Sequence, residues 1–420
     1  MKKVLSLVLS LALACGVLVG LTACGGEEKG DVVKPYNGIK TIAYSDMKVG
    51  LITLHDEKST YDLNFINAFK AACEAKGVKS VITRNIPETN KAYEAAADLV
   101  DQGCNLIFAD SFGHEPFILK AAKEFPDVQF CHATGVKAHG EKRGNFHDAF
   151  ANIYEGRFLA GVAGGEKIKE LVAADANKVT TENGEKFVKI GYVGAYTYAE
   201  VVSGYTSFYL GVKYALKGQD YGVKMEVSFT GSWYDETAEK ETANTLITNG
   251  AILVSQHADS MGAPTACEKA GVPNVSYNGS TEASCPNTFI VSSRINWQPY
   301  YEYAMECLNS GTEIAYDWTA GMNDTPFAGS VCLTDFGAAA ASTTATAVST
   351  AFAALKAGTL KVFDVSTFTV DGKAVSEHVV EGTNVIKTVN GITYFDESSL
   401  YSAPCFDLKI DGIKLLNTKY

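Results

Sequence analysis

Short apolar runs alternate with amphipathic segments along most of the chain. The runs at 48–54 (KVGLITL), 105–111 (NLIFADS) and 128–134 (VQFCHAT) are nearly continuous in apolar residues, and segments of helical character lie between them. Strands that read as continuous apolar runs and alternate with helices are typical of βαβ units, in which helices cover both faces of a parallel sheet. The pattern therefore predicts an α/β fold.

The same alternation occurs twice. A long predicted helix at 151–171 ends the first series, and a second series starts at 189–195 (KIGYVGA) and continues to residue 296. The segment GCNLIFADSFGHEP of the first series corresponds to GAILVSQHADSMGAP of the second. Two copies of one plan predict two Rossmann-like lobes. Because ligands bind outside the carboxyl ends of parallel strands, the strand-end loops of both lobes are expected to line one ligand cleft.

The first 23 residues have the pattern of an export signal. Two lysines precede a long apolar stretch, and the sequence LTAC at 21–24 places small residues before a cysteine. A transmembrane helix is the alternative, because the apolar stretch is nearly long enough to span a bilayer. The segment resembles a bacterial lipoprotein signal. That resemblance implies a lipid on Cys24, a tether at 24–45, and anchoring on the extracytoplasmic face of the cell membrane.

Composition limits the remaining function classes. The chain has 36 Lys and Arg against 48 Asp and Glu, a formal net charge of −12, which argues against nucleic acid as a partner. Apart from Cys15 and Cys24, the cysteines are scattered without metal or C-x-x-C spacing, so buried free thiols are favoured over a disulfide framework. These eight are Cys73, Cys104, Cys131, Cys267, Cys285, Cys307, Cys332 and Cys405.

The loop residues of the first predicted lobe suggest contacts with a flat, polar ligand. Asn64 and Phe65 stand at a helix entry, where an amide can hydrogen-bond to a heterocycle and a ring can stack on it. The alternative places a helix cap at Asp62 and Phe65 in the core. Asp110 and Phe112 directly follow an apolar strand and are expected to face the cleft.

The second lobe offers stronger candidates. Trp233 lies in a strand-to-helix loop, where small polar residues are usual, and Asp235 either bonds the ligand or caps the next helix. His257 and Asp259 follow another strand, and Asn278 and Trp297 follow the next two. The chain has no G-x-S-x-G, H-E-x-x-H, P-loop or G-x-G-x-x-G motif. A cleft rich in aromatic and amide groups without catalytic motifs is typical of a binding protein.

Several long segments carry a family resemblance. LIFADSFGHEPFILKAAKEFPDVQFCHATG, ANIYEGRFLAGVAGG, GSWYDETAE, SQHADS and INWQPYY resemble the basic membrane protein family of ABC-transporter substrate-binding lipoproteins, the purine nucleoside receptors. The resemblance covers about residues 46–310. It implies a type I periplasmic-binding-protein fold with three hinge crossings and a purine nucleoside or nucleobase in the cleft. It also implies a monomer that works with ABC permease and ATPase subunits, without enzymatic activity, cofactor or metal.

The resemblance also implies roles for individual residues. Phe65 and Trp233 are expected to stack on the purine, with Trp297 as a further candidate. The polar or lining neighbours would be Asn64, Asp110, Phe112, Asp235, His257, Asp259 and Asn278. One departure is that Asn278 stands where the family commonly carries an acid that would bind ribose. This departure and the HATG, SWYD and QHADS segments resemble a branch that takes the free base.

The expected organisation assigns 46–165 and about 297–335 to lobe 1, and 166–296 and about 336–375 to lobe 2. Residues 376–420 form a C-terminal extension without an assigned role. Two alternatives stay open at this point. One is a surface nucleoside hydrolase that uses Asp110, Asp259 and His257, and the other is a ligand sensor built on the same fold.

Overall fold

The computed structural model describes residues 32–420. The export signal expected at 1–23, the lipidation site Cys24 and the first part of the tether lie outside the described residues. Within the described part of the chain, no helix has both the length and the apolar character needed to cross a membrane.

Strands and helices alternate as the hydrophobic pattern predicts. The strands are β1 (Lys48–Ile52), β2 (Lys79–Thr83), β3 (Leu106–Ala109), β4 (Gln129–Ala133), β5 (Phe146–Ala149), β6 (Thr180–Glu182), β7 (Glu185–Gly194), β8 (Gly222–Phe229), β9 (Val254–Gln256), β10 (Asn274–Tyr277), β11 (Phe289–Ile295), β12 (Asp317–Trp318), β13 (Val331–Leu333), β14 (Val379–Val380), β15 (Thr383–Asn384), β16 (Ile386–Val389), β17 (Ile392–Phe395) and β18 (Ile413–Leu415). The helices are α1 (Thr60–Lys76), α2 (Asn90–Asp101), α3 (Glu115–Glu124), α4 (Ala138–Glu141), α5 (Ile153–Ala174), α6 (Ala199–Ala215), α7 (Glu236–Thr248), α8 (Gly262–Ala270), α9 (Gln298–Ser310) and α10 (Thr344–Lys356).

The strands form two large sheets. The first has the order β12-β5-β4-β3-β1-β2, and all its neighbours pair in parallel. The second has the order β13-β11-β10-β9-β7-β8-β18, in which β13 runs antiparallel to β11 and β6 forms a hairpin with β7. Two parallel sheets with helices between their strands confirm the predicted α/β fold with two Rossmann-like lobes.

The chain passes between the two sheets three times, after β5, after β11 and after β12. Helix α5 packs on α6 and β11 of the second sheet, so the first crossing precedes α5. The lobe boundary expected near residue 165 falls inside this helix. Strand β13 also belongs to the second sheet, so the last crossing precedes residue 331 rather than residue 335.

Two glycines explain why α5 packs on the second lobe. A Cβ built on Gly161 would lie 2.1 Å from the carbonyl oxygen of Phe208, and one on Gly211 would lie 2.0 Å from that of Phe158. The backbones of α5 and α6 are therefore in direct contact at this crossing, which no larger residue would allow. Both helices carry side chains that reach the site described below.

The C-terminal extension is integrated with the second lobe. Its strand β18 pairs in parallel with β8, with Ile413 opposite Met225. The side chain of Asn417 forms two hydrogen bonds with the backbone of Phe229. Its Oδ1 accepts from the Phe229 N–H at 2.8 Å, and its Nδ2 donates to the Phe229 carbonyl at 2.9 Å. All eight cysteines of the described chain are buried, and none of them forms a disulfide, as the sequence predicts.

Candidate ligand-binding site

The strand-end loops of the two sheets line a narrow pocket between the lobes. Its first-lobe wall consists of Leu54, His55, Tyr61, Asp62, Ser111, Phe112 and Thr134. Its second-lobe wall consists of Glu200, Trp233, His257, Asp259 and Tyr277.

The two lobes touch each other around the pocket. The Thr60 N–H donates to the carbonyl oxygen of Asp259 at 3.0 Å, and Asn64 Nδ2 donates to the carbonyl oxygen of Ile295 at 2.6 Å. The rings of Phe112 and Tyr198 meet across the cleft with centroids 5.1 Å apart. The structure therefore shows the lobes in a closed arrangement.

Trp233 is the largest aromatic side chain of the pocket wall. It is half-buried, and its ring meets Tyr196 edge-on at 5.1 Å and Tyr198 at 5.9 Å. The loop is held by its backbone, since the Asp259 N–H donates to the Trp233 carbonyl at 2.8 Å. These contacts fix the position of the indole next to His257 and Asp259 on the same wall.

A buried arginine determines the tautomer of His257. Arg157 Nη1 donates to the carbonyl of Gln256 at 2.8 Å, and Nη2 lies 3.0 Å from His257 Nδ1. A guanidinium only donates, so Nδ1 accepts and the ring proton resides on Nε2. Nε2 lies 3.3 Å from Glu200 Oε1 and donates to it. Burial and the Arg157 charge lower the pKa of His257 to about 4, so the imidazole is neutral at physiological pH.

Four carboxyl groups lie in or next to the pocket: Asp62, Glu200 and Asp259 line it, and Asp110 lies behind its wall. Asp62 accepts from the His55 N–H at 2.7 Å and from Ser59 Oγ at 2.6 Å. Burial, followed by the charge of Asp62, raises the pKa of both Asp110 and Asp259 well above the usual value. Asp62 and Glu200 offer acceptor oxygens to a ligand with N–H or O–H donors, and a raised pKa favours the protonated form of Asp259, which can also donate.

Four of the residues proposed from the sequence line this pocket: Phe112, Trp233, His257 and Asp259. Two more lie just behind its wall. Asp110 accepts from the Leu54 N–H at 3.2 Å, and Asn278 donates to Asp259 Oδ1 at 3.0 Å. Each of these two residues therefore contacts a residue of the pocket wall.

Four other proposed residues have structural contacts outside the pocket. Phe65 and Trp297 stack on each other at 4.4 Å and are 0% and 1% exposed, which places them in the core of the first lobe. Asp235 is exposed and caps α7 by accepting from the Ala238 N–H at 2.9 Å. The side-chain amide of Asn64 donates to the carbonyl of Ile295, as described above. For Phe65 and Asp235, the structure agrees with the core and cap alternatives.

Several pocket residues did not emerge from the sequence. His55, Tyr61 and Asp62 come from the β1–α1 loop and the start of α1, and the sequence predicts only a capping role for Asp62. Glu200 stands in the first turn of α6, and Tyr277 is the last residue of β10. The sequence signal that could have identified these five residues is their place at or just after the end of a predicted strand.

One group of metal-ligating side chains occurs within residues 32–420. It consists of Glu115, His132 and Asp148, and it lies behind Ser111 and Thr134 rather than among the pocket-lining residues. Of the residues that the hydrolase alternative requires, His257 and Asp259 line the pocket and Asp110 does not.

Comparison with known proteins gives one family match. The family model described as ABC transporter substrate-binding protein PnrA-like (Bmp) matches residues 53–325. A purine-binding protein of Brucella abortus is 30% identical over 275 residues, which cover 64% of this chain and 71% of that protein. A Haloferax volcanii protein named as a glucose-binding protein of an ABC transporter is 29% identical over 218 residues, 52% of this chain and 49% of that protein.

Solved structures resemble the fold. An ABC-transporter solute-binding protein of Conexibacter woesei superposes with a TM-score of 0.56 at 20% identity and covers 75% of this chain and 98% of its own. A solute-binding protein of Aeropyrum pernix gives a TM-score of 0.56 at 18% identity, with 69% of this chain and 76% of that chain covered. These similarities show the periplasmic-binding-protein type of fold.

Proposed function

Because the chain belongs to the Bmp family of PnrA-like ABC-transporter substrate-binding proteins, we propose that it captures a purine nucleobase or nucleoside outside the cytoplasm. The bound purine would then be delivered to an ABC permease with its ATPase subunits. The observation that carries the proposal is the pocket closed between the two lobes, in which Trp233 lies beside a set of hydrogen-bond acceptors.

The chemistry of the pocket fits a purine. A purine has two flat faces, and stacking of a base on an aromatic side chain contributes about 1–3 kcal/mol. The edge of the purine carries ring N–H groups and, in adenine or guanine, an amino group. These can donate hydrogen bonds to the carboxylate of Glu200 or to the oxygens of Asp259. The similarity to the purine-binding protein of Brucella abortus supports this ligand class.

Calorimetric titration tests the proposal. We expect at least one of adenine, hypoxanthine, guanine, adenosine, inosine or guanosine to bind with one-to-one stoichiometry. Glucose, suggested by the Haloferax volcanii relative, serves as the comparison ligand. Binding of glucose without binding of any purine would contradict the assignment.

We further infer that the protein binds its ligand without converting it. The alternative is a nucleoside hydrolase, which would release free base from inosine. Chromatography of inosine after prolonged incubation with the protein is expected to show no hypoxanthine above the level of a protein-free control. Release of base that follows protein concentration would favour the enzyme.

The membrane attachment proposed from the sequence rests on Cys24. We expect Cys24→Ser to leave the melting temperature unchanged and to move the protein from the membrane fraction to the soluble fraction. A variant that stays in the membrane pellet after a salt wash would show that another segment holds the protein there. Size-exclusion chromatography with light scattering checks the expected monomer.

A further inference from the structure

A cluster of three buried ligating groups lies in the first lobe, behind the pocket wall. Glu115 on α3, His132 on β4 and Asp148 on β5 each present one ligating atom, and these atoms lie within 4.8 Å of one another. Their side chains are almost completely buried, with exposures of 4%, 0% and 1%. We propose that this cluster binds one divalent transition-metal ion through the imidazole of His132 and one oxygen from each carboxylate.

The hydrogen bonding of His132 leaves a ring nitrogen available as a ligand. Its Nε2 lies 2.7 Å from the carbonyl oxygen of Ser111, and because a carbonyl only accepts, Nε2 carries the proton. In the neutral imidazole, Nδ1 then presents its lone pair. Nδ1 lies 3.5 Å from Asp148 Oδ1, and neither atom has a hydrogen-bond partner of good geometry within residues 32–420. Two buried acceptor atoms face each other here.

Glu115 and Asp148 are buried side chains that carry negative charge when ionised. Uncompensated buried charge is strongly unfavourable. A divalent ion with neutral His132 balances both carboxylates at once.

The backbone orients each ligand from behind. Asp148 Oδ2 accepts from the Ala138 N–H at 2.8 Å, which leaves Oδ1 for the ion. Glu115 Oε1 accepts from the N–H groups of Val136 and Lys137 at 2.8 and 2.6 Å, which leaves its other oxygen. Metal-binding histidines and carboxylates in proteins are oriented by outer hydrogen bonds of this kind.

The ligand set indicates the class of metal. Imidazole nitrogen suits zinc, iron, nickel and copper, and carboxylate oxygen is also accepted by zinc and manganese. An all-oxygen site would instead be expected for calcium or magnesium. Three protein ligands leave a fourth position for water, and the burial of the cluster limits its access. Zinc is therefore the probe of choice.

A bound ion would connect several elements of the first lobe. It would join α3, β4 and β5, and through the backbone bonds it would hold the segment 134–138. Ser111 and Thr134 line the ligand pocket. The Ser111 carbonyl contacts His132 of the cluster, and Thr134 follows His132 by two residues in the sequence. The metal would therefore stabilise the first-lobe wall of the pocket, whatever ligand the pocket takes.

The test is calorimetric titration of Zn²⁺ into the untagged full chain after removal of metals with EDTA. We expect one Zn²⁺ per chain and a higher melting temperature with Zn²⁺ than with EDTA. Asp148→Asn and Glu115→Gln keep the side-chain shape and remove a negative ligand. Each is expected to weaken Zn²⁺ binding by more than the roughly 10–100-fold that loss of an outer-shell partner causes. His139→Gln, an exposed histidine on α4, is the matched control and should bind as the parent does.

Two results would overturn the proposal. The first is a folded parent chain, verified by circular dichroism, that binds neither Zn²⁺ nor Mn²⁺ stoichiometrically; this result does not depend on any variant. The second is an Asp148→Asn variant that binds Zn²⁺ as tightly as the parent, or a His139→Gln variant that alone loses binding. In either case the cluster would be a hydrogen-bonded group of buried side chains and not a metal site.

Discussion

Replacing Trp233 by alanine tests the aromatic wall of the pocket. The indole is half-buried, and its contacts with Tyr196 and Tyr198 are edge-on or tilted, so ring surface remains for a ligand. Stacking of a base contributes about 1–3 kcal/mol. A middle value of about 2 kcal/mol corresponds to a loss of about 30-fold in affinity for the purine. Trp233→Phe keeps a smaller ring on the same wall and should lose less than about tenfold.

The alanine variant should keep its fold, because the loop is held by a backbone bond from Asp259 to the carbonyl of residue 233. Loss of a half-buried ring is expected to lower the free energy of unfolding by about 1–2 kcal/mol, below the range for fully buried aromatics. Calorimetric titration gives the affinity, and melting curves without ligand give the stability.

Trp318 provides the matched control. It is also half-buried, it packs on Tyr300 with centroids 4.9 Å apart, and it lies on the first sheet outside the pocket. Trp318→Ala should lower the melting temperature and leave the purine affinity within twofold of the parent. The reasoning fails if Trp233→Ala binds every purine as tightly as the parent, or if both alanine variants lose affinity equally.

Three further predictions follow from the site and the core. Glu200→Gln should weaken purine binding about tenfold, because a charged acceptor is lost, whereas Glu185→Gln at the other end of β7 should not; equal affinities in calorimetry would argue against Glu200 as a ligand contact. Burial raises the pKa of Glu397 to about 8, while an unfolded glutamate titrates near 4.3. As the pH rises, the unfolded chain therefore releases this proton before the folded chain does. The free energy of unfolding is expected to fall between about pH 5 and 8. Glu397→Gln should gain up to about 1.4 kcal/mol per pH unit relative to the parent over this range, and denaturant titrations that show the same difference at pH 6 and 8 would contradict this. Small-angle scattering should give a smaller radius of gyration with saturating purine than without it, because ligand contacts to both lobes favour closure; an unchanged radius despite confirmed binding would exclude a hinge motion.

The sheet architecture could be predicted because each strand is an apolar run that ends at a polar loop. The same logic located the loop of Trp233 and the segment of His257 and Asp259. It failed for Phe65, because a helix entry offers both a cleft-facing and a core-facing direction. Phe69, four residues on, is also buried in this helix, and this spacing is the sequence signal for the core face.

Other features depend on contacts that no local pattern encodes. The sequence predicts α5 as a helix, but the close contact at Gly161 and Gly211 decides which sheet it covers. Glu200 and Tyr277 become pocket residues only because the start of α6 and the end of β10, which are far apart in sequence, line the same second-lobe wall. Strand β18 likewise joins the second sheet far from its own sequence neighbours, beside β8.

Binding of a purine between the lobes is tested most sharply by a crystal structure of the protein with the purine that binds best in the calorimetric series. We expect the purine ring between the two lobes, with one face on Trp233 and its edge toward Glu200, His257 or Asp259. A purine bound elsewhere, for example in the open groove lined by Arg294 and Asn296, with the pocket free of it, would contradict the account.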